Sequence, residues 1–173
     1  MKNRYVVDTN VLIAASAGHP MTPTDIDATP MEPALRLEIW GWLDQFERSD
    51  SRLVLDSACK IWDEYNNKLG QNDFGIQVVM AKWSTAAVDN VAVKYDNDGH
   101  GILPPTLTAV VHDLADRKMV AASLESYADF GEGCVAFAGD TDWHDWEDQL
   151  TAHDILLEPI IEDWSRAKHA EKR

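Results

Sequence analysis

Arg4-Tyr5-Val6-Val7-Asp8-Thr9-Asn10-Val11-Leu12-Ile13-Ala14-Ala15-Ser16 is the stretch on which the fold turns. Tyr5, Val6 and Val7 are aromatic and β-branched with no polar residue between them, the pattern of a short strand buried on both faces. Asp8-Thr9-Asn10 breaks the apolar run, and Val11 to Ala15 resume it with residues that suit a helix. A strand that ends in a carboxylate and passes at once into a helix is where open α/β sheets bind ligands, outside the carboxyl ends of their strands. Two readings of Asp8 stay open at this point. It either caps the helix, as Asp, Asn and Thr do well, or stands buried to hold something, since an unpaired buried carboxylate is costly.

Further along, strand and helix patterns alternate. Ala34 to Arg48 carries Leu35, Ile39, Trp40, Leu43 and Phe46 at helical spacing. Arg52 to Leu55 reads as a second strand, with Asp56-Ser57 as a cap for a helix that runs to about Leu69 before Gly70. In that helix Ile61, Trp62, Tyr65 and Leu69 form the apolar stripe, and Glu64 lies at its margin. A helix over about 72–85 leads to a third strand over 87–94. Thr108 to Tyr127 is expected to be one long helix, carrying His112, Asp113 and Asp116 near its start. Cys134 to Ala138 is a fourth strand that opens onto Gly139-Asp140-Thr141-Asp142-Trp143. Ile155 to Leu157 is a fifth, followed by a closing helix from Pro159. This alternation predicts an α/β domain with a mainly parallel central sheet.

The totals fit one domain over 1–173. The chain is 45% hydrophobic with seven Trp, enough for a packed core. No apolar run reaches the ~20 residues a spanning helix needs, and residues 1–4 lead into the first strand without a signal-peptide h-region. A cytoplasmic protein is therefore expected. Cys59 and Cys134 lack a Cys-x-x-Cys spacing and read as buried thiols. Two loops, 17–33 with four prolines and 95–106 with Asp96, Asp98 and His100, look like insertions; the first is either a lid or a surface excursion. Asp96, Asp98 and His100 resemble the start of a calcium loop, but Leu107 stands where its Glu belongs. The tail 166–173 is expected to fray.

Asp8, Asp140 and Asp142 follow strands, Glu64 follows the second strand in its helix, and Asp113 and Asp116 precede the fourth. In a parallel sheet these segments deliver their carboxylates to one edge. Such a cluster raises its own pKa values unless cations neutralise it. Hard divalent ions with oxygen ligands suit it, and with them metal-assisted hydrolysis of a phosphate ester.

The chain resembles the PIN-domain ribonuclease family. The resemblance rests on Val6-Val7-Asp8-Thr9-Asn10-Val11-Leu12-Ile13, on Ile61-Trp62-Asp63-Glu64-Tyr65, on Asp113 to Ser123, and on Val135 to Trp143, in family order. It implies a PIN-like three-layer α/β/α fold, with Asp8, Glu64, Asp116 and Asp140 as catalytic, metal-binding carboxylates and Asp142 as an accessory ligand. Asn10, Thr141 and Asp113 are expected in support, and Mg²⁺ or Mn²⁺ as the cofactor. The implied activity is endonucleolytic RNA hydrolysis by a metal-activated water, as in the toxin halves of bacterial toxin–antitoxin pairs. Expected partners are an RNA substrate, a neutralising basic protein, and a second copy as a homodimer, with no membrane.

Two departures stand out. Gly139 occupies the place where the family carries Thr or Ser, and the formal charge of −15 opposes nucleic acid at long range. That charge also keeps open a catalytically silent PIN-like scaffold that binds a basic partner. A phosphotransferase of the haloacid-dehalogenase type needs a second Asp two residues after the first, and the chain has Asn10 there. A zinc pair of His112 and Asp116 lacks a second His. Trp42, Trp143 and Trp146 are the tryptophans considered for stacking on a base.

Overall fold

A computed structural model describes all residues, 1–173. Five strands, β1 (Arg4–Val7), β2 (Arg52–Asp56), β3 (Val88–Val91), β4 (Gly133–Phe137) and β5 (Ile155–Pro159), form one sheet of order β3-β2-β1-β4-β5, and every pairing is parallel. Eight helices flank it: α1 (Thr9–Ala17), α2 (Pro33–Arg48), α3 (Lys60–Lys68), α4 (Phe74–Ser84), α5 (Pro105–Thr108), α6 (Arg117–Phe130), α7 (Trp143–Ala152) and α8 (Glu162–Glu171). The result is a three-layer α/β/α architecture. The expected mainly parallel sheet is parallel throughout.

Burial explains the all-parallel pattern. Tyr5, Val6 and Val7 of β1 and all five residues of β4 are buried, so these central strands read as continuous apolar runs. Full burial of a Val or Phe among them stabilises the fold by about 1.5–3 kcal/mol. One continuous core joins the sheet to the helices. The Tyr65 hydroxyl donates to the Val7 carbonyl, tying α3 to the end of β1. Gly75 lets α4 cross α1 closely, since a Cβ there would lie 2.7 Å from the Leu12 carbonyl oxygen.

β1 is central, with β2 and β3 built outward on one side and β4 and β5 on the other. The direction of winding reverses between β1 and β4, which makes the crevice beyond their carboxyl ends the topological switch point. The register places Val7 opposite Ala136, and the Asp8 N–H donates to the Ala136 carbonyl at 2.9 Å. Asp8 thus enters the crevice from one strand, and Asp140 from just past the other.

Several expectations are corrected. The helix expected over 108–127 is split: α5 ends at Thr108, residues 109–116 are non-helical, and α6 starts only at Arg117. Asp113 and Asp116 therefore do not share a helix face, and the His112–Asp116 helical spacing does not exist. The turn is held by side chains: Asp113 accepts from the Ala115 N–H at 2.8 Å, and Arg117 donates to the Val111 and Thr108 carbonyls. The third strand is shorter than 87–94. The tail 166–173 is helical to Glu171 and pinned by Lys172–Asp142 at 2.7 Å and Arg173–Asp145 at 2.9 Å. Cys59 is exposed rather than buried; Cys134 is buried, and both thiols are free. No helix is long and apolar enough to cross a membrane.

Candidate functional site

Three helices begin at the crevice. Asp8 is the N-cap residue of α1, Asp116 that of α6 and Asp142 that of α7, yet none makes a side-chain capping hydrogen bond. For Asp8 the capping reading survives only as the influence of the Asn10 N–H, at the second position of α1, on its carboxylate, and that leaves one oxygen unaccounted for. Asp8 Oδ2 is buried without a hydrogen-bond partner, and Asp116 Oδ2 is in the same condition. Both residues are nearly inaccessible, Asp8 at 3% and Asp116 at 9% exposure. An orphaned carboxylate oxygen in a native interior is rare and expensive. Two of them in one crevice point to a cationic ligand, which capping would not require.

The electrostatics agree. Burial, and then the charge of Asp140, push the Asp8 carboxyl up to about 7 against an ordinary 3.8. Burial, and then Asp8 and Asp140, raise Asp116 as well. Asp140 is raised by burial, partly offset because its Oδ1 accepts the Asp142 N–H at 3.0 Å. The positive ends of the α1, α6 and α7 dipoles face this charge and relieve part of it. The Asn10 backbone N–H also lowers Asp8, so the support expected from Asn10 comes through its main chain. The Trp143 indole lies close enough to lower Asp8 too, although its N–H completes no hydrogen bond.

Glu64 reaches the same site from α3. Its Oε1 accepts the Thr9 hydroxyl and its Oε2 pairs with the Lys118 ammonium. Lys118 also donates to the Ala115 carbonyl at 2.7 Å. Tyr65 sets the helix phase by burying its ring, so Glu64 turns inward and Asp63 stays exposed. Asp116 feels the charges of Asp8, Asp140 and Glu64, and Asp8 those of Asp140 and Glu64, so the four carboxylates share one neighbourhood. No three of them bring their oxygens within 4.8 Å of one another. At most two of them could therefore hold one ion directly, with waters completing its shell.

The accessory residues divide. Asp142 turns away and pairs with Lys172 of α8. Asp113 is exposed and held by its own turn, contributing only its charge. The Thr141 hydroxyl is buried and unpartnered beside Asp140. Asp56 is a cap as expected, accepting the Lys60 and Ile61 N–H groups at 3.0 and 2.8 Å. Trp143 and Trp146 are buried, and Trp42 stacks on Phe46 and donates to Glu158, so none of the three is free for a base.

No protein-family model matches the chain, and neither a curated protein nor a solved structure matches it. The functional reading therefore rests on the chain's own residues.

Those residues account for Gly139. A Cβ there would lie 2.2 Å from the Thr29 carbonyl oxygen, because the 17–33 loop crosses directly against it. The second half of the loop packs onto the domain: Ala28 and Pro30 are buried, and Arg36 donates to the Ala28 and Pro30 carbonyls at 2.5 and 2.6 Å. Thr9 and Lys118, which hold Glu64, escaped sequence reasoning. Both lie inside the quoted motifs, but only the fold shows that they meet one carboxylate. A separate group, Asp96, Asp98 and His100, does close to within 4.8 Å. Asp96 and Asp98 are exposed and His100 half-buried, and the Asp98 and His100 N–H groups, each 2.9 Å from Asp96 Oδ1, account for the group's shape as a side-chain-capped turn.

Proposed function

We propose that this protein is a divalent-metal-dependent endoribonuclease of the PIN type, with Asp8, Asp116, Asp140 and Glu64 as its acidic centre. The observation that carries the reading is the pair of buried, unpartnered oxygens, Asp8 Oδ2 and Asp116 Oδ2, at the switch point between β1 and β4. Neutral ligands would not offset the charge that raises these carboxyls, whereas Mg²⁺ or Mn²⁺ supplies oxygen-preferring positive charge. Asp8 and Asp116 would hold the ion, with Asp140 beside them. When bound, such an ion lowers the pKa of a water and stabilises charge on a phosphate.

The chain's own residues do the positioning. Thr9 and Lys118 fix both oxygens of Glu64, so that it contributes negative charge without swinging freely. Trp143, wholly buried beside Asp8, keeps bulk water out from beneath the site. The three helix N-termini limit repulsion among the carboxylates. RNA as the substrate class, and a toxin role paired with a neutralising partner, follow from the motif resemblance and are part of the same proposal.

The test combines cleavage and binding. Single-stranded RNA should be cut with Mn²⁺ or Mg²⁺ and spared in EDTA, and Asp8→Asn should lower the rate at least 100-fold. Saturating Mn²⁺ at about 100 times its Kd should stabilise the wild type by ~2.7 kcal/mol, and Asp8→Asn should lose that gain. A protein that neither binds Mn²⁺ nor cuts RNA would instead be the silent scaffold.

A further inference from the structure

Three clefts open around the acidic centre, and their charges differ. One, beside Asp113 and Asp142, is lined by His112, Asp145 and Trp146 and is acidic. A second, beside Gly139 and Thr141, contains Lys168 and Lys172, but those ammoniums are already paired with Glu171 and Asp142. The third, about 350 Å³, is lined by Lys60, Lys68, Lys118, Asp63, Glu64 and Asn67 against Gly99 and has no apolar side chain. Neither Lys60 nor Lys68 belongs to any of the ion pairs between a Lys or Arg and a carboxylate. What sets this cleft apart from the other two is that it brings three lysines, two of them without an ion pair, against two carboxylates, Asp63 and Glu64.

The pocket connects to the centre through a chain of contacts. Lys118 pairs with Glu64, Glu64 accepts from Thr9, and Thr9 follows Asp8. Lys60 Nζ sits 5.1 Å from the centre of the Tyr95 ring and 3.5 Å from where a Cβ on Gly99 would be. The 95–101 turn thus forms a wall beside the lysine, and Gly99 keeps that wall low. The Lys118 side chain is only 12% exposed, so its charge is poorly screened.

The geometry points to this pocket as the docking subsite for a backbone phosphate of single-stranded RNA next to the one cleaved, with Lys60 and Lys68 as its cations and Lys118 at its inner end. The assignment rests on the ribonuclease reading and adds the path of the strand: it leaves the centre over α3 and the 95–101 turn, away from the Asp142–Asp145 rim. It also answers the problem posed by net charge. Long-range repulsion is met locally, where three lysines outnumber Asp63 and Glu64 and phosphate contacts supply sequence-independent affinity.

The test uses the full chain, a short fluorescein-labelled single-stranded RNA of mixed sequence, and Ca²⁺ in place of the catalytic ion. Fluorescence anisotropy across a salt series is compared for the wild type, Lys60→Gln/Lys68→Gln, Lys60→Arg/Lys68→Arg and Lys168→Gln/Lys172→Gln. Two lost phosphate contacts at ~0.7 each should make the log–log salt slope of the first double variant shallower by about 1.4, with affinity at low salt falling about tenfold. The arginine pair should bind like the wild type, and the Lys168/Lys172 pair should stay within about twofold of it. The Mn²⁺-induced rise in Tm, read separately, should be the same in all four. Wild-type binding by Lys60→Gln/Lys68→Gln, or a loss concentrated in the Lys168/Lys172 pair, overturns the assignment and leaves the metal centre standing. A wild type that shows the Mn²⁺ shift but binds no RNA overturns both the assignment and the substrate class.

Discussion

Replacing Asp8 by Asn should stabilise the metal-free protein at neutral pH. Asp8 is buried with an orphaned Oδ2, and burial with the Asp140 charge lifts its carboxyl from 3.8 to about 7. The unfolded chain releases this proton near pH 4, whereas the folded one keeps it until about pH 7. Across that window the folded state binds more protons, so metal-free stability falls as pH rises. The contribution is fully present below about pH 4 and lost once pH passes the folded value. Seven minus 3.8 is about three pH units, and at about 1.4 kcal/mol each the charged carboxylate costs on the order of 4 kcal/mol above neutrality. Part of that repulsion is shared with Asp116, so neutralising Asp8 alone should recover about 3 kcal/mol. In a domain of this size that raises Tm by roughly 6–12 °C. The measurement is thermal unfolding in EDTA from pH 4.5 to 8.5. The Asp8→Asn gain should be large at pH 8, shrink toward pH 5, and reverse in rank when Mn²⁺ is added, since only the wild type binds it. A variant that is destabilised in EDTA at pH 8, or whose change does not vary with pH, would refute the claim that unneutralised charge is concentrated here.

Two further substitutions probe the scaffold that holds the site. Tyr65→Phe removes the donor to the Val7 carbonyl and leaves that buried oxygen unpaired, which should cost about 1–3 kcal/mol in urea unfolding. Because the same bond orients α3, RNA cleavage should fall as well. Gly139→Ser supplies the hydroxyl that the proposed PIN-type reading would expect at this place, but forces a Cβ against the Thr29 carbonyl. We expect a loss of about 1–3 kcal/mol and faster proteolysis within 17–33, with no gain in cleavage rate.

Much of the site was legible because strand ends are marked in one dimension. The runs Tyr5–Val7 and Cys134–Ala138 stop at polar residues, and parallel pairing brings all such stops to one edge. Glu64 rather than Asp63 followed from the phase set by Tyr65. The 109–116 turn was not legible. Leu107, Val110, Val111 and Leu114 imitate helical spacing, and what breaks the helix is a set of side-chain bonds from Asp113 and Arg117 to the backbone. Local periodicity carries no record of that competition.

The sequence by itself determined the α/β class, the chain positions of the acidic residues and the strand ends that present them, since these depend on local hydrophobic period and turn chemistry. Tertiary structure alone decided that Asp8 keeps one buried oxygen unpaired, that Asp142 turns to Lys172, that Gly139 makes room for Thr29, and that Lys60 and Lys68 stand unpaired beside Lys118. Asp142 with Lys172, Gly139 with Thr29 and the α3 lysines with Lys118 are meetings of residues far apart in the chain. Which carboxylate finds a cation, and which is left wanting one, depends on distances that only the folded chain sets.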